Sequence, residues 1–328
     1  MVNKVMLTKE ALQNIAGSKY HGSPYTFVDK ICDFLFWEPT VRLMPSWLAP
    51  NLITTLGALC MFTVCALTLA FNNSTLTAEV PLWFWLLAVL ALTAYDTLDN
   101  CDGKQARRTG NSSALGQLLD HGFDCSVNTN AIFFLLVQAL HITNVTYSVV
   151  MLLCMEATYL LAAWEEHYMG VCRTSLAGVG VTEYGILTRL IFFLTWWYGY
   201  GFWGQHLIWG FSISDCFAFF TMAISFWGIG TMIVLVTYHT KSFRPLRDLI
   251  PLGVIVSVIV FFLSKGTLKY YTLPLMLSTA SVLGEVTTVM IICTMSKVRS
   301  RQSEYPIVHK GVLMYVFQAV LTAVRGKC

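Results

Sequence analysis

Long apolar runs alternate with short polar breaks along the whole chain. Runs of about 20 apolar residues exceed what a soluble core helix needs and match the hydrocarbon thickness of a bilayer. They predict membrane-spanning helices at 52–71, 81–98, 113–141, 146–168, 183–203, 213–238, 247–264, 270–296 and 309–325. Ahead of the first run, "YTFVDKICDFLFWEPTVRLMPSWLAPN" mixes apolar, aromatic and charged residues. That mixture predicts an interfacial helix followed by a proline-punctuated entry. The expected fold is all-α: a polytopic integral membrane bundle of about nine to ten transmembrane helices with an N-terminal interfacial helix.

Composition strengthens this picture. Of 328 residues, 56% are hydrophobic and only 12% charged, about half the charged fraction of a soluble domain. The first 50 residues hold Lys4, Lys9, Glu10, Lys19, Asp29, Lys30 and Asp33 and no long apolar core, so no signal peptide is expected. The ten cysteines are scattered with no C-x-x-C pair and read as buried thiols.

Net charge is +3 and says little, but its distribution sets an orientation. With the N-terminus in the cytosol, 15 of 21 Lys and Arg residues fall on the cytosolic side. Sequons at Asn72, Asn73 and Asn144 then fall on the lumenal side, and one at Asn111 on the cytosolic side.

One cytosolic stretch breaks the apolar pattern with unusual chemistry: "DNCDGKQARRTGNSSALGQLLDHGFD", Asp99 to Asp124. Asp99 and Asp102 are three apart; Asp120 and Asp124 are four apart. Both spacings put side chains on one helix face. A short loop joins the two helices, so the four carboxylates are expected to converge. Uncompensated, they would repel one another; hard divalent cations such as Mg²⁺ or Mn²⁺ resolve that conflict, and four carboxylates suffice for two ions. Gly103 and Ala106 leave room for a ligand, Arg107 offers a fork for phosphate, and Gly116 opens the facing helix. The cluster therefore reads as a metal–diphosphate site at the membrane edge.

The stretch Asp99-x2-Asp102-Gly103-x2-Ala106-Arg107-x8-Gly116-x3-Asp120-x3-Asp124 resembles the full signature of the CDP-alcohol phosphotransferases. The resemblance implies displacement of CMP from a CDP-alcohol by an acceptor hydroxyl, with two divalent metals. Asp99, Asp102 and Asp120 would hold one ion; Asp99, Asp120 and Asp124 would share the second. Arg107 would hold the diphosphate, and Gly103, Ala106 and Gly116 would make room for the nucleotide. The wording "DGKQARRT" with a D-H-G-x-D ending is similar to the eukaryotic choline/ethanolamine phosphotransferase branch, which brings Lys104 and Gln105 into the substrate-binding stretch. So does Pro50-Asn51-x2-Thr54, which puts Asn51 near the nucleotide. The organisation this implies is an interfacial segment at 1–50, a catalytic core at 51–240 and C-terminal helices at 241–328.

In that branch a histidine after the third aspartate acts as general base, here His121, and a glutamate one turn earlier orients it. This chain departs there and holds Gln117. An amide can fix an imidazole by accepting its hydrogen bond, but it adds no charge to stabilise an imidazolium. Asp124 stands as the alternative base. The tract "LAAWEEHYMG" admits two readings: Trp164 and Tyr168 facing a quaternary ammonium, or an interfacial aromatic belt with solvated glutamates. Glu156 and Glu285 lie deep in spans and are left outside the site.

The resemblance implies CDP-choline or CDP-ethanolamine as donor, diacylglycerol as acceptor, phosphatidylcholine or phosphatidylethanolamine and CMP as products, and a homodimer in the endoplasmic reticulum or Golgi membrane, with no nucleic-acid partner. A CDP-alcohol phosphotransferase using another acceptor, a divalent-cation transporter and a catalytically dead scaffold are the competing readings. Arg107 beside the acids argues against the transporter, because it would repel the ion.

Overall fold

The computed structural model describes residues 8–297 apart from 19–21, 23, 73–77, 174, 177 and 178. The span expected at 309–325 and the sequon at Asn73 lie outside the described residues. In chain order the helices are α1 (Lys9–Ala16), α2 (Phe27–Cys32), α3 (Glu38–Leu43), α4 (Pro50–Phe71), α5 (Trp83–Thr109), α6 (Ala114–Phe123), α7 (Thr129–Ala139), α8 (Val145–Met169), α9 (Val181–Tyr198), α10 (Ile213–Thr240), α11 (Ile250–Ser264) and α12 (Leu268–Ser296). Among the described residues, five helical stretches are long and apolar enough to cross a membrane: α4, α8, α10, Arg244–Ser264 and α12. The fold is an all-α polytopic membrane bundle.

The described residues of 19–142 and 172–217 form one compact unit, and those of 1–18, 143–171 and 218–328 another. In the first, α4 packs along α5, α5 against α9, and α4 against α7. Its core holds Ile53, Met61, Phe84, Trp85, Phe133, Phe134 and Phe192, all essentially inaccessible. The Tyr200 hydroxyl donates to Val80 O at 2.7 Å and accepts from Trp85 Nε1 at 2.9 Å, so its polar tip is satisfied inside this apolar packing. Residues 24–48 carry exposed Phe27, Phe34, Leu35, Phe36, Leu43 and Trp47 beside charged neighbours, a face suited to a bilayer surface.

Two helix boundaries differ from the expectation. The second span was expected to end at 98, yet α5 continues to Thr109. Charges at 99–108 end the hydropathy run, but Lys, Gln, Ala and Arg keep the backbone helical. The span expected at 113–141 is interrupted: α6 and α7 are joined by a π turn, Asp124–Asn128, in which Thr129 N–H donates to Asp124 O. Two short antiparallel hairpins, β1 (Ser175–Leu176) with β2 (Val179–Gly180) and β3 (His206–Ile208) with β4 (Phe211–Ser212), have no counterpart in the hydropathy pattern.

In the other unit α8 packs against α12. The Trp164–Glu166 tract sits inside: Trp164 is inaccessible and donates Nε1–H to Pro245 O at 3.2 Å, and Tyr168 donates to Asp248 Oδ2 at 2.6 Å. Glu165 and Glu166 are 1% and 7% exposed, which corrects the reading of an aromatic belt with solvated glutamates. Packing between α8 and α12, invisible to a single-helix pattern, buries that face. Glu156 is buried and Glu285 exposed.

Candidate active site

The turn between α5 and α6 places the acids. Gly110 ends α5 in the left-handed conformation (φ 70°), and Asn111 N–H returns to Ala106 O at 2.9 Å. Ser113 then caps α6, its Oγ accepting from Gly116 N–H at 3.1 Å. So tight a connection brings the end of α5 back beside the start of α6.

Asp99, Asp120 and Asp124 come together: each offers one carboxylate oxygen, and these lie within 4.8 Å of one another. At that spacing each pair of charges repels by roughly 3 kcal/mol for an effective dielectric near 20. Asp102 is buried on the same helix as Asp99, and its carboxylate accepts a hydrogen bond from the Thr54 hydroxyl of α4. His121 stands at the edge of the cluster, with Nε2 3.9 Å from Asp120 Oδ2. Gln117 lies one turn before it on α6.

The phosphate-handling candidates sit on the same helices. Arg107 is exposed and lies over Gly103, where a Cβ would meet its Nη1 at 3.4 Å. Ala106 beside it is half-buried. A Cβ on Gly116 would meet Asn51 Oδ1 at 3.2 Å, so this glycine lets α6 approach the first turn of α4.

Lys104 and Gln105 point their polar ends to the N-terminal segment. Lys104 Nζ is 2.6 Å from Asp33 Oδ1 and 3.5 Å from Glu38 Oε2. Burial alone would lower its pKa, but the hydrogen bond to Asp33 and the charges of Asp33 and Glu38 hold it above the usual lysine value. Gln105 is inaccessible and donates Nε2–H to Pro45 O and Leu48 O at 2.9 and 3.0 Å.

Several neighbours of the acids escaped the sequence reading. Tyr95 and Asn128 both donate to Asp124 Oδ1, at 2.7 and 2.9 Å. Arg189 of α9 pairs with Asp96 of α5 at 2.7 Å. Thr54 was visible only as part of the Pro50-Asn51-x2-Thr54 string, and its tie to Asp102 was not. Helical spacing alone could have flagged Tyr95, one turn before Asp99.

The donor set suits a hard cation. It is all oxygen and anionic, and Asp120 Oδ1 is buried with no hydrogen-bond partner. A buried carboxylate oxygen without a donor is available as a ligand to a divalent ion.

Residues 47–227, more than half of the chain, match the CDP-alcohol phosphatidyltransferase family. The chain belongs to this family. Its aspartate triad therefore stands among enzymes that use divalent metal, on a chain with membrane-spanning helices. Cholinephosphotransferase 1 of Danio rerio is 33% identical over 200 residues, covering 60% of this chain and 50% of that protein. Cholinephosphotransferase 1 of Gallus gallus is 32% identical over 235 residues, covering 65% of this chain and 67% of that one. Choline/ethanolaminephosphotransferase 1 of Saccharomyces cerevisiae is 30% identical over 160 residues, covering 48% and 40%. The chain spans about half the length of the curated relatives it matches first.

Proposed function

We propose that this chain transfers phosphocholine or phosphoethanolamine from a CDP-alcohol to diacylglycerol, releasing CMP. The observation that carries the reading is the convergence of Asp99, Asp120 and Asp124 within 4.8 Å, with the His121 imidazole at their edge. Asp99, Asp102, Asp120 and Asp124 would hold two Mg²⁺ or Mn²⁺ ions, which neutralise the diphosphate and stabilise charge on the leaving CMP.

The chain's own residues perform the rest. Arg107 is exposed on the last turns of α5 and adds a bidentate hydrogen-bonding fork for phosphate oxygens. Asn51 lies beside Gly116, where the approach of α6 to α4 forms one wall of the nucleotide subsite. The neutral imidazole of His121 takes the proton from the diacylglycerol hydroxyl as its oxygen attacks the β-phosphorus. The new P–O ester bond forms as the phosphoanhydride bond to CMP breaks. Gln117, one turn earlier on α6, would accept the hydrogen bond that keeps the other ring nitrogen protonated. His121 is favoured over Asp124 as base, because a carboxylate that ligates a divalent cation is a poorer base than a neutral imidazole.

The placement explains the charge in an apolar chain. A soluble nucleotide reaches the cytosolic end of α5 and α6 from water, while a lipid hydroxyl arrives from between helices. The reading extends to a homodimer in the endoplasmic reticulum or Golgi membrane. It is tested by offering the purified protein both CDP-alcohols with diacylglycerol and Mg²⁺ or Mn²⁺ and separating the lipid products. CMP release that requires all three components supports it. Metal flux in proteoliposomes without CMP release overturns it in favour of a transporter.

A further inference from the structure

Asp124 is gripped from two directions. Tyr95, one turn before Asp99 on α5, donates its phenol O–H to Asp124 Oδ1 at 2.7 Å. Asn128, at the far end of the π turn, donates Nδ2–H to the same oxygen at 2.9 Å. A carboxylate oxygen has two lone pairs, and two donors fill them. Oδ2 is then the oxygen of Asp124 with lone pairs to spare.

Both donors are themselves held. Asn128 is 3% exposed, and facing an acceptor-only carboxylate it must present its NH₂ group, which leaves its own Oδ1 buried without a partner. The ring of Tyr95 lies against Gly57 of α4: a Cβ there would sit 3.5 Å from Tyr95 Cδ2 and 3.6 Å from Tyr95 O. Asp124 and Asn128 are the two ends of the π turn, and such turns cluster at functional sites.

We infer that Tyr95, seconded by Asn128, is a positioning residue that commits one oxygen of Asp124 and leaves the other as a single-oxygen ligand for a divalent cation. The inference rests on the metal reading proposed above. Outer partners of this kind orient a ligand before the ion arrives. Here the phenol ties α5, which carries Asp99, to the π turn that begins at Asp124 directly after α6, which carries Asp120. It sets their carboxylates in register without touching substrate.

Tyr95→Phe keeps the ring against Gly57 and removes only the donor. The full chain in detergent is titrated with Mn²⁺ alone, and free Mn²⁺ is followed by electron paramagnetic resonance. Tyr95→Phe and Asn128→Leu are each expected to weaken Mn²⁺ binding roughly 10–100-fold. In the transferase assay the metal KM rises by a similar factor, and kcat recovers toward wild type at saturating Mn²⁺. A merely structural defect would lower kcat at every metal concentration. Mn²⁺ binding by Tyr95→Phe equal to wild type overturns the inference; should that variant fail to fold, equal binding by Asn128→Leu does so. A wild-type chain that binds no Mn²⁺ overturns both readings. One that binds Mn²⁺ with the expected Tyr95 dependence but releases no CMP overturns the proposed function alone.

Discussion

Arg189 of α9 meets Asp96 of α5 at 2.7 Å, one helical turn before Asp99. Both side chains are mostly buried, at 17% and 20% exposure. Arg189 also donates to Leu92 O at 3.4 Å, so it spans a full turn of α5. Removing one partner leaves a buried charge uncompensated, which costs about 3–5 kcal/mol, whereas removing both is often near neutral. Arg189→Met is therefore expected to lower the unfolding temperature in detergent, and Arg189→Met with Asp96→Leu to recover most of the loss. A double variant no more stable than the single one would show that the pair is not what fastens these helices.

The carboxylate triad makes a sharper prediction. Asp99→Ala or Asp120→Ala should abolish CMP release while the protein still folds and inserts. A ligand that binds only the native state raises its stability. Mn²⁺ should thus raise the unfolding temperature of the wild type and leave that of either variant unchanged. Near-normal turnover in either one refutes the metal assignment.

His121 is tested by its own removal and through its neighbour. His121→Ala should reduce turnover roughly 10²–10⁴-fold, the range for losing a general base, with metal affinity retained. If turnover survives, Asp124 becomes the base. Gln117→Glu restores a charged partner one turn from the imidazole and is expected to give equal or higher activity. Complete loss in that variant would mean residue 117 does not serve His121.

The N-terminal segment is pinned to α5 by Lys104 and Gln105. Gln105→Leu removes the side-chain donor to Leu48 O and one of the two donors to Pro45 O, which keeps Leu48 N–H at 3.1 Å. Each hydrogen bond lost costs about 0.5–1.5 kcal/mol. Limited proteolysis should then cut within residues 24–48 faster than in the wild type, and Lys104→Met should act in the same direction by releasing Asp33. Unchanged cleavage rates in both variants would show that the segment is held by its apolar packing around Trp37, Val41 and Cys101 instead.

The sequence by itself determined the helical, membrane-spanning character of the chain and pointed to a carboxylate cluster, of which Asp99, Asp120 and Asp124 come together. Apolar run length and helical spacing are local properties, and both can be read along one strand of text. The family signature is local in the same sense. Tertiary structure alone decided which groups from other helices hold these acids in place, Thr54 on Asp102 and Tyr95 on Asp124, and it paired Arg189 with Asp96. It also turned Lys104 and Gln105 toward the N-terminal segment and buried the Trp164–Glu166 tract. The physical reason is common to all of these. A hydrogen bond or ion pair between helices depends on which helix lies alongside and at what rotation. A π turn that shifts the helix register after Asp124 leaves no trace in the periodicity of the residues it displaces.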